Sequence, residues 1–408
     1  MDKTKIKENL YEAINGEWLK KATIPADKPA TGGFQDLVDE IEDLLITDTK
    51  KMSADPSLIP NHLMKEYIAY FQLANDYQKR EQDGASPMLP LLNQITSLKD
   101  LADLNQQLTQ WVLDGLPLPF GVDVDADMKN TKINALFAGA PSLILPDKTY
   151  YEPNHPQASQ LLAIFKEMTL KLFALAGYEA DTAEKITDEA LQFDRLLAPH
   201  VKSAEENADY SKMYNPESGE EFVKHSHYLD LKKLFTELVG EVPEKIIVTE
   251  PLFFENLDAL VTPTTFSQMK SWMLVMTINA LTSYLSEEFR QVGGIYSRAL
   301  SGAPEARSQE KAAFYLASGR FDQIIGDYYG KKYFGEQAKK DVEQMVTRMV
   351  GIYQERLHNN SWLSEATRKK AITKLKTLGI HVGYPEKIPP IYTQFKVTPA
   401  KKGGTLLN

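Results

Sequence analysis

Along most of this chain apolar positions recur at helical spacing. Phe34, Leu37, Val38, Ile41, Leu44 and Leu45 follow the i, i+3, i+4, i+7 pattern and predict a helix with one buried face. The same period predicts helices from Leu63 to Lys79 and from Leu98 to Leu113. Leu116-Pro117-Leu118-Pro119 then breaks it, because proline lacks an N–H and clashes with the preceding turn. Past that point Phe120, Val122 and Val124 alternate with polar or small residues. A polar turn at Asp127-Met128-Lys129-Asn130-Thr131 leads to Ile133, Leu136 and Phe137, so a β-hairpin is expected here. One further strand, a short one, is expected at Lys245-Ile246-Ile247-Val248.

Helices resume at Pro156, a residue suited to a first helical position, and this one ends near Gly177. Asp181 with Glu184 has the spacing of a capping box and starts a helix through Ile186, Ala190, Phe193 and Leu197. Thr265 with Gln268 repeats that spacing ahead of Trp272, Leu274, Val275, Ile278 and Leu281. A helix from about Pro304 to Tyr329 follows, then one carrying Val342, Met345, Val346, Met349, Val350 and Tyr353, and a last one from Ser364 to Gly379. Lys401-Lys402-Gly403-Gly404 reads as a turn, and Thr405 to Asn408 as the opening of another element. The expected fold is mainly α: a large multi-helix domain with one small β-hairpin.

Composition narrows the classes. A chain of 408 residues, 43% hydrophobic and 25% charged, can bury a sizeable core without covalent staples. A net charge of −10 with no basic stripe argues against nucleic acid as a partner. The absence of cysteine excludes disulfides, thiolate metal sites and cysteine nucleophiles. The charged start, Met1 to Glu8, carries no apolar signal segment, and no stretch has the length of a membrane span. A soluble cytoplasmic protein without membrane contact is therefore expected.

Local chemistry assembles no site. None of the seven histidines precedes a glutamate. His225-Ser226-His227 would face one side of a strand and could hold a metal there, but its flanks read as a helix end and the next helix start. A structural or solvated role is the better reading, and the same holds for His62, His155, His200, His358 and His381. Ser297 and Ser301 do not lie in a nucleophile elbow. Gly293-Gly294 and Gly403-Gly404 are too short for a phosphate loop. Adjacent acids such as Glu205-Glu206 and Glu287-Glu288 diverge by about 100° on a helix and form no dyad. Trp272, Met273 and Met276, and Met345 with Met349, sit at core-packing spacing. Asn134-Ala135-Leu136-Phe137 is similar to a peptide-backbone-binding segment of some peptidases, but within the hairpin it reads as strand packing.

Longer stretches resemble the neprilysin-type zinc metallopeptidases, family M13, and especially their bacterial oligoendopeptidase members. Tyr11-Glu12-Ala13-Ile14-Asn15-Gly16-Glu17-Trp18 with Ile24-Pro25 is similar to the family's Tyr-x-x-x-Asn-Gly-x-Trp … Ile-Pro signature. Leu145-Pro146-Asp147-Lys148-Thr149-Tyr150-Tyr151 is similar to its Leu-Pro-Asp-x-x-Tyr-Tyr turn, and Tyr214-Asn215-Pro216 to a link between helices. Trp362-Leu363, Thr367-Arg368-Lys369-Lys370-Ala371, Lys374-Leu375 and Gly383-Tyr384-Pro385 resemble the last helix and exit of the family's N-terminal half. The chain departs from the pattern at Pro29-Ala30-Thr31, before Gly33-Phe34, where many members carry an arginine; no substrate-contacting arginine is carried over.

The resemblance implies that residues 8–388 form an M13-like N-terminal helical domain, with 389–408 starting a connection to a catalytic domain. In the family an H-E-x-x-H helix and a downstream glutamate hold zinc, and these follow the Gly-Tyr-Pro exit. Zinc is thus expected in the full-length protein, and no metal, catalytic or assigned substrate-binding residue in this chain. The implied role is a helical cap that forms a chamber and restricts entry to peptides, with the C-terminal catalytic domain of the same polypeptide as partner. An apolar face near the C-terminal helices, covered by that partner, is expected, and this chain alone is expected to be inactive. Two alternatives stand beside this one. One is a non-enzymatic module binding peptides or a partner; the other is an unrelated metal enzyme built on His225 and His227.

Overall fold

Helices dominate the structure, a computed structural model that describes residues 6–398 and 404–407. The expectations at Met1 to Lys5 and at Lys401 to Gly403 lie outside the described residues. Contacts divide the chain into two units. One comprises Met1–Ala30 and Tyr77–Ala306, the other Thr31–Asp76 and Arg307–Asn408.

The first unit is built on the helix Phe266–Leu281. Met269, Trp272, Met273, Leu274, Val275 and Ile278 are all buried, and a helix apolar on every side is enclosed on every side. It packs against Ala180–Leu197, which turns Ala183, Thr187, Ala190, Phe193, Asp194 and Leu197 inward. The Phe193 and Trp272 rings lie 6.0 Å apart. Each large side chain so enclosed contributes about 1.5–3 kcal/mol.

Neither expected capping box forms in this pair. The first helix starts after Glu179, placing Asp181 inside its first turn. Thr265 is the N-cap of the second, but its hydroxyl bonds the Leu260 carbonyl at 2.8 Å instead of the helix. At Thr265 the position is as expected, but the hydroxyl has its acceptor at the end of the preceding short helix Leu257–Leu260.

The expected hairpin is present as β1 (Gly121–Asp127) and β2 (Asn130–Gly139), but it is half of a sheet. With β3 (Asn215–Glu217) and β4 (Ile246–Val248) the order is β1-β2-β4-β3. β2 and β4 are parallel, while β1 with β2 and β3 with β4 are antiparallel. β4 is fully buried, so it reads as a continuous apolar run. β3 is the strand that periodicity missed, because a three-residue strand with proline at its centre shows no alternation.

The second unit contains the helices Gly33–Ala54, His62–Asn75, Gln309–Arg320, Asp322–Tyr329, Gly335–His358 and Glu365–Lys376. Its core gathers Tyr67, Tyr70, Phe71, Ala313, Ala317 and Phe321. Phe321 meets Tyr67 edge-on at 6.0 Å and Phe395 at 5.5 Å. It also separates two helices where the apolar period suggested one from Pro304 to Tyr329.

Two helices here do not bury their expected apolar faces. In Gly33–Ala54 the buried residues are Glu42, Ile46, Asp48, Thr49 and Met52, whereas Phe34 is 85% exposed and Leu37 and Val38 about half. Gly335–His358 buries no residue, and Met345, Met349, Ile352 and Tyr353 are all exposed. Core packing therefore holds for Trp272 and Met273 and fails for Met345 and Met349.

Candidate functional site

Among the described residues, no three histidine, aspartate or glutamate side chains converge to hold a metal ion. The His-x-His pair lies in a 3-10 turn and the bend after it, so its rings part. His225 Nε2 meets the Glu217 carboxylate at 3.0 Å, and His227 Nδ1 pairs with Asp258. Each ring is committed to a different carboxylate, so the two imidazoles are not brought together on one site. The Asn134 segment has no free edge where it would be needed. At Leu136, Phe137 and Ala138, β2 pairs with β1 on one side and β4 on the other.

The first unit holds an open cleft of about 490 Å³. The loop from Ala140 to Lys148 forms one wall, and Val201, Lys202, Ala204, Asn207, Glu250 and Leu300 the other. Its charged groups Asp147, Lys202 and Glu250 are engaged by neighbouring backbone groups. Glu250 accepts from the Lys202 amide at 2.7 Å and the Ala140 amide at 3.3 Å. Lys202 Nζ donates to the carbonyls of Thr249 at 2.6 Å and Lys212 at 3.0 Å. Asp147 caps the turn Lys148–Tyr151 through the Thr149 amide and reaches the Ala204 amide at 2.5 Å. The Leu-Pro-Asp-x-x-Tyr-Tyr turn is thus a clasp.

That clasp closes on Asp194. Its carboxylate, with no exposed surface, accepts from Trp272 Nε1 at 3.0 Å, the Ile144 amide at 3.1 Å and the Tyr151 hydroxyl. Burial among these neutral donors pushes the carboxyl up to about 6, despite the bonds that favour its charged form. Tyr296 anchors the same loop by donating to the Ile144 carbonyl at 2.9 Å, and burial raises its hydroxyl to about 12. Sequence reasoning missed Asp194, yet a signal existed. It interrupts the apolar stripe Ala183, Ala190, Leu197 of its helix, where an acid must find partners.

In the second unit the two buried acids of Gly33–Ala54 hold that helix. Asp48 accepts from Lys332 Nζ at 2.8 Å, Tyr328 Oη at 2.8 Å and the Tyr333 hydroxyl. Burial alone would raise its carboxyl; the bonds from Lys332, Tyr333 and Tyr328 outweigh it and hold it below the usual carboxylate range. Glu42 takes the Tyr315 hydroxyl and an ion pair from Lys311 at 2.5 Å. The Asp48 bonds from Lys332 and Tyr333 hold the π-helical turn Gly330–Phe334. The Gly-Tyr-Pro exit rests on that turn. A Cβ at Gly330 would lie 2.3 Å from the Tyr384 ring, and Lys339 Nζ donates to the Tyr384 carbonyl at 3.0 Å. Gly383 has φ +70°, a conformation that favours glycine.

Among the charged residues on the outer faces of the helices Gly33–Ala54 and Gly335–His358 lie exposed apolar ones. Phe34, Leu37 and Val38 lie on one, and Met345, Met349, Ile352 and Tyr353 form an i, i+4, i+7, i+8 stripe on the other. Trp362, which follows the second helix, is 80% exposed. A stripe of large apolar side chains left exposed along one helix is a candidate contact site.

Comparison with known proteins matches residues 6–385 to the N-terminal profile of peptidase family M13. A neutral endopeptidase of Lactobacillus helveticus is 40% identical over 398 residues, covering 97% of this chain and 61% of the relative. A neutral endopeptidase of Lactococcus lactis is 41% identical over 397 residues, 97% of this chain and 63% of the relative. The crystal structure of PepO from Lactobacillus rhamnosis HN001 superposes with a TM-score of 0.92 at 33% identity, covering 98% of this chain and 63% of that one. The chain thus spans under two thirds of the length of these relatives. Among the described residues no helix is long and apolar enough to cross a membrane.

Proposed function

This chain belongs to peptidase family M13, and from that premise we propose that it is the chamber-forming, substrate-gating N-terminal portion of a zinc endopeptidase acting on oligopeptides. The observation that carries the reading is the extent of the match. An N-terminal family profile covers nearly the whole chain, while the chain covers only 61% and 63% of the length of two neutral endopeptidases. No histidine of the 408 residues is followed by glutamate, so the chain contains no H-E-x-x-H. Among the described residues no three candidate zinc ligands converge, which supports this reading. The metal, its ligands and the water-activating glutamate would come from the remainder of the polypeptide.

The catalytic portion is then the partner. In the second unit the apolar faces of Gly33–Ala54 and Gly335–His358 offer it a contact surface. Burying them would exclude water from the join, as in interfaces formed within one polypeptide. The side chains of this portion bind and exclude; bond cleavage is assigned to the other.

The test uses the purified, chelator-treated chain. It should retain no stoichiometric zinc after zinc is added back and dialysed, and should leave a mixed oligopeptide substrate intact. A longer polypeptide continuing through the catalytic portion should retain zinc and cleave the substrate. Zinc-dependent cleavage by this chain alone would overturn the proposal.

A further inference from the structure

A sheet edge in a protein that meets extended peptides or further copies of itself is a hazard, because its unpaired N–H and C=O groups accept another strand. The sheet of the first unit has two edges, β1 and β3. β3 has only three residues, with Pro216 at its centre. β1 has seven, and its Val124 is 56% exposed. On length alone β1 invites pairing.

The direction of its N–H groups follows from the ladder. The Ala138 carbonyl of β2 accepts the Thr249 amide, at 2.8 Å, from the β4 side. Ala138 therefore points away from β1, and its partner Val122 points away from β2. Register is unbroken up to Ala126, so Val124 and Ala126 share that outward direction. The Val124 amide donates to Asp123 Oδ1 at 2.7 Å, and the Ala126 amide to Asp125 Oδ1 at 2.6 Å. Two successive outward donors are thus taken by the carboxylate one residue back. Val122 follows Gly121, which has no side chain to offer.

We infer that Asp123 and Asp125 close the β1 edge by occupying its outward N–H groups, and that without them β1 pairs with β1 of a second copy. A second copy is the fitting partner because it offers the same seven-residue edge, and an isologous pair needs only one surface. The inference does not depend on the proposed function.

The experiment measures mass by sedimentation across a concentration series, with circular dichroism as a control. Asp123→Ala with Asp125→Ala should shift the chain toward dimer relative to the unchanged protein. Asp123→Asn with Asp125→Asn keeps the acceptor oxygen and removes the charge, and should sediment as the unchanged protein does. Adding Val124→Pro to the alanine pair deletes an outward donor and should reverse the shift. A dimerising asparagine pair would overturn the inference, since charge repulsion would then be the protection. So would a folded alanine pair that sediments unchanged. Should the alanine pair fail to fold, amide exchange in the unchanged protein decides. The Val124 and Ala126 amides should exchange roughly tenfold more slowly than Val122; equal rates for all three would overturn it.

Discussion

Asp194 joins three stretches of the first unit through neutral donors, so its charge is opposed by burial with no cation among its hydrogen-bond partners. Its carboxyl stands near 6 in the folded chain against an ordinary 3.8. A group raised on folding contributes stability that is full below the unfolded value and lost as pH rises through the folded value. Between pH 4 and pH 7 that loss is on the order of 2–3 kcal/mol. Asp194→Asn should flatten this part of the stability–pH profile, read from urea unfolding, while keeping an acceptor for Trp272 and Ile144. Asp194→Ala leaves those donors bare and should destabilise by about 2–5 kcal/mol at every pH. Asp127 acts with the opposite sign. The bond from Lys245, with those from the Lys129 amide and Tyr214, lowers its carboxyl to about 2. Its contribution is present above the ordinary value of 3.8 and disappears as pH falls through 2, so acid unfolding should be eased by Lys245→Met.

At the level of elements, the helix Gly33–Ala54 shows why the apolar pattern misleads. Phe34, Leu37 and Val38 of its hydrophobic stripe look outward, Ile41, Leu44 and Leu45 are half-buried, and its inner face is fastened by Glu42 and Asp48 beside Ile46 and Met52. Asp48→Ala should therefore cost more than Leu37→Ala. Because Lys332 is half exposed, roughly 1–3 kcal/mol is expected for the former, and close to zero for the latter, in thermal unfolding of the chain. The sequence did disclose the long helices, the hairpin and the buried run of β4, since each depends on period and turn chemistry alone. It could not disclose β3, whose pairing is dictated by β4 rather than by its own residues. Nor could it separate a stripe that packs inside from one that packs on something else, because both are written with the same residues. The signature stretches were legible as signatures, and their physical work appears only in three dimensions. The Leu-Pro-Asp turn clasps Asp194, and Gly-Tyr-Pro seats on a π turn.

Taken as a whole, the chain combines well-anchored units with apolar surface that its own residues leave uncovered. That combination gives one pair of substitutions opposite consequences in two contexts. Met345 and Met349 are 51% and 56% exposed, so Met345→Glu with Met349→Glu removes little buried area from the isolated chain. Its melting temperature should change by no more than about 2 °C, and binding of a hydrophobic dye should fall. In a polypeptide that continues into the catalytic portion, the same faces would be buried against that portion. Two carboxylates buried in such a join without a cation partner would each cost several kcal/mol. Peptide hydrolysis by the longer protein should then drop at least tenfold, with limited proteolysis at the join increased. Zinc content should be unchanged, since the substituted residues hold no metal. If the longer protein tolerates both glutamates with full activity, this stripe is not where the two portions meet, and the contact must be sought on the helix Gly33–Ala54, where Leu37→Glu and Val38→Glu provide the same comparison.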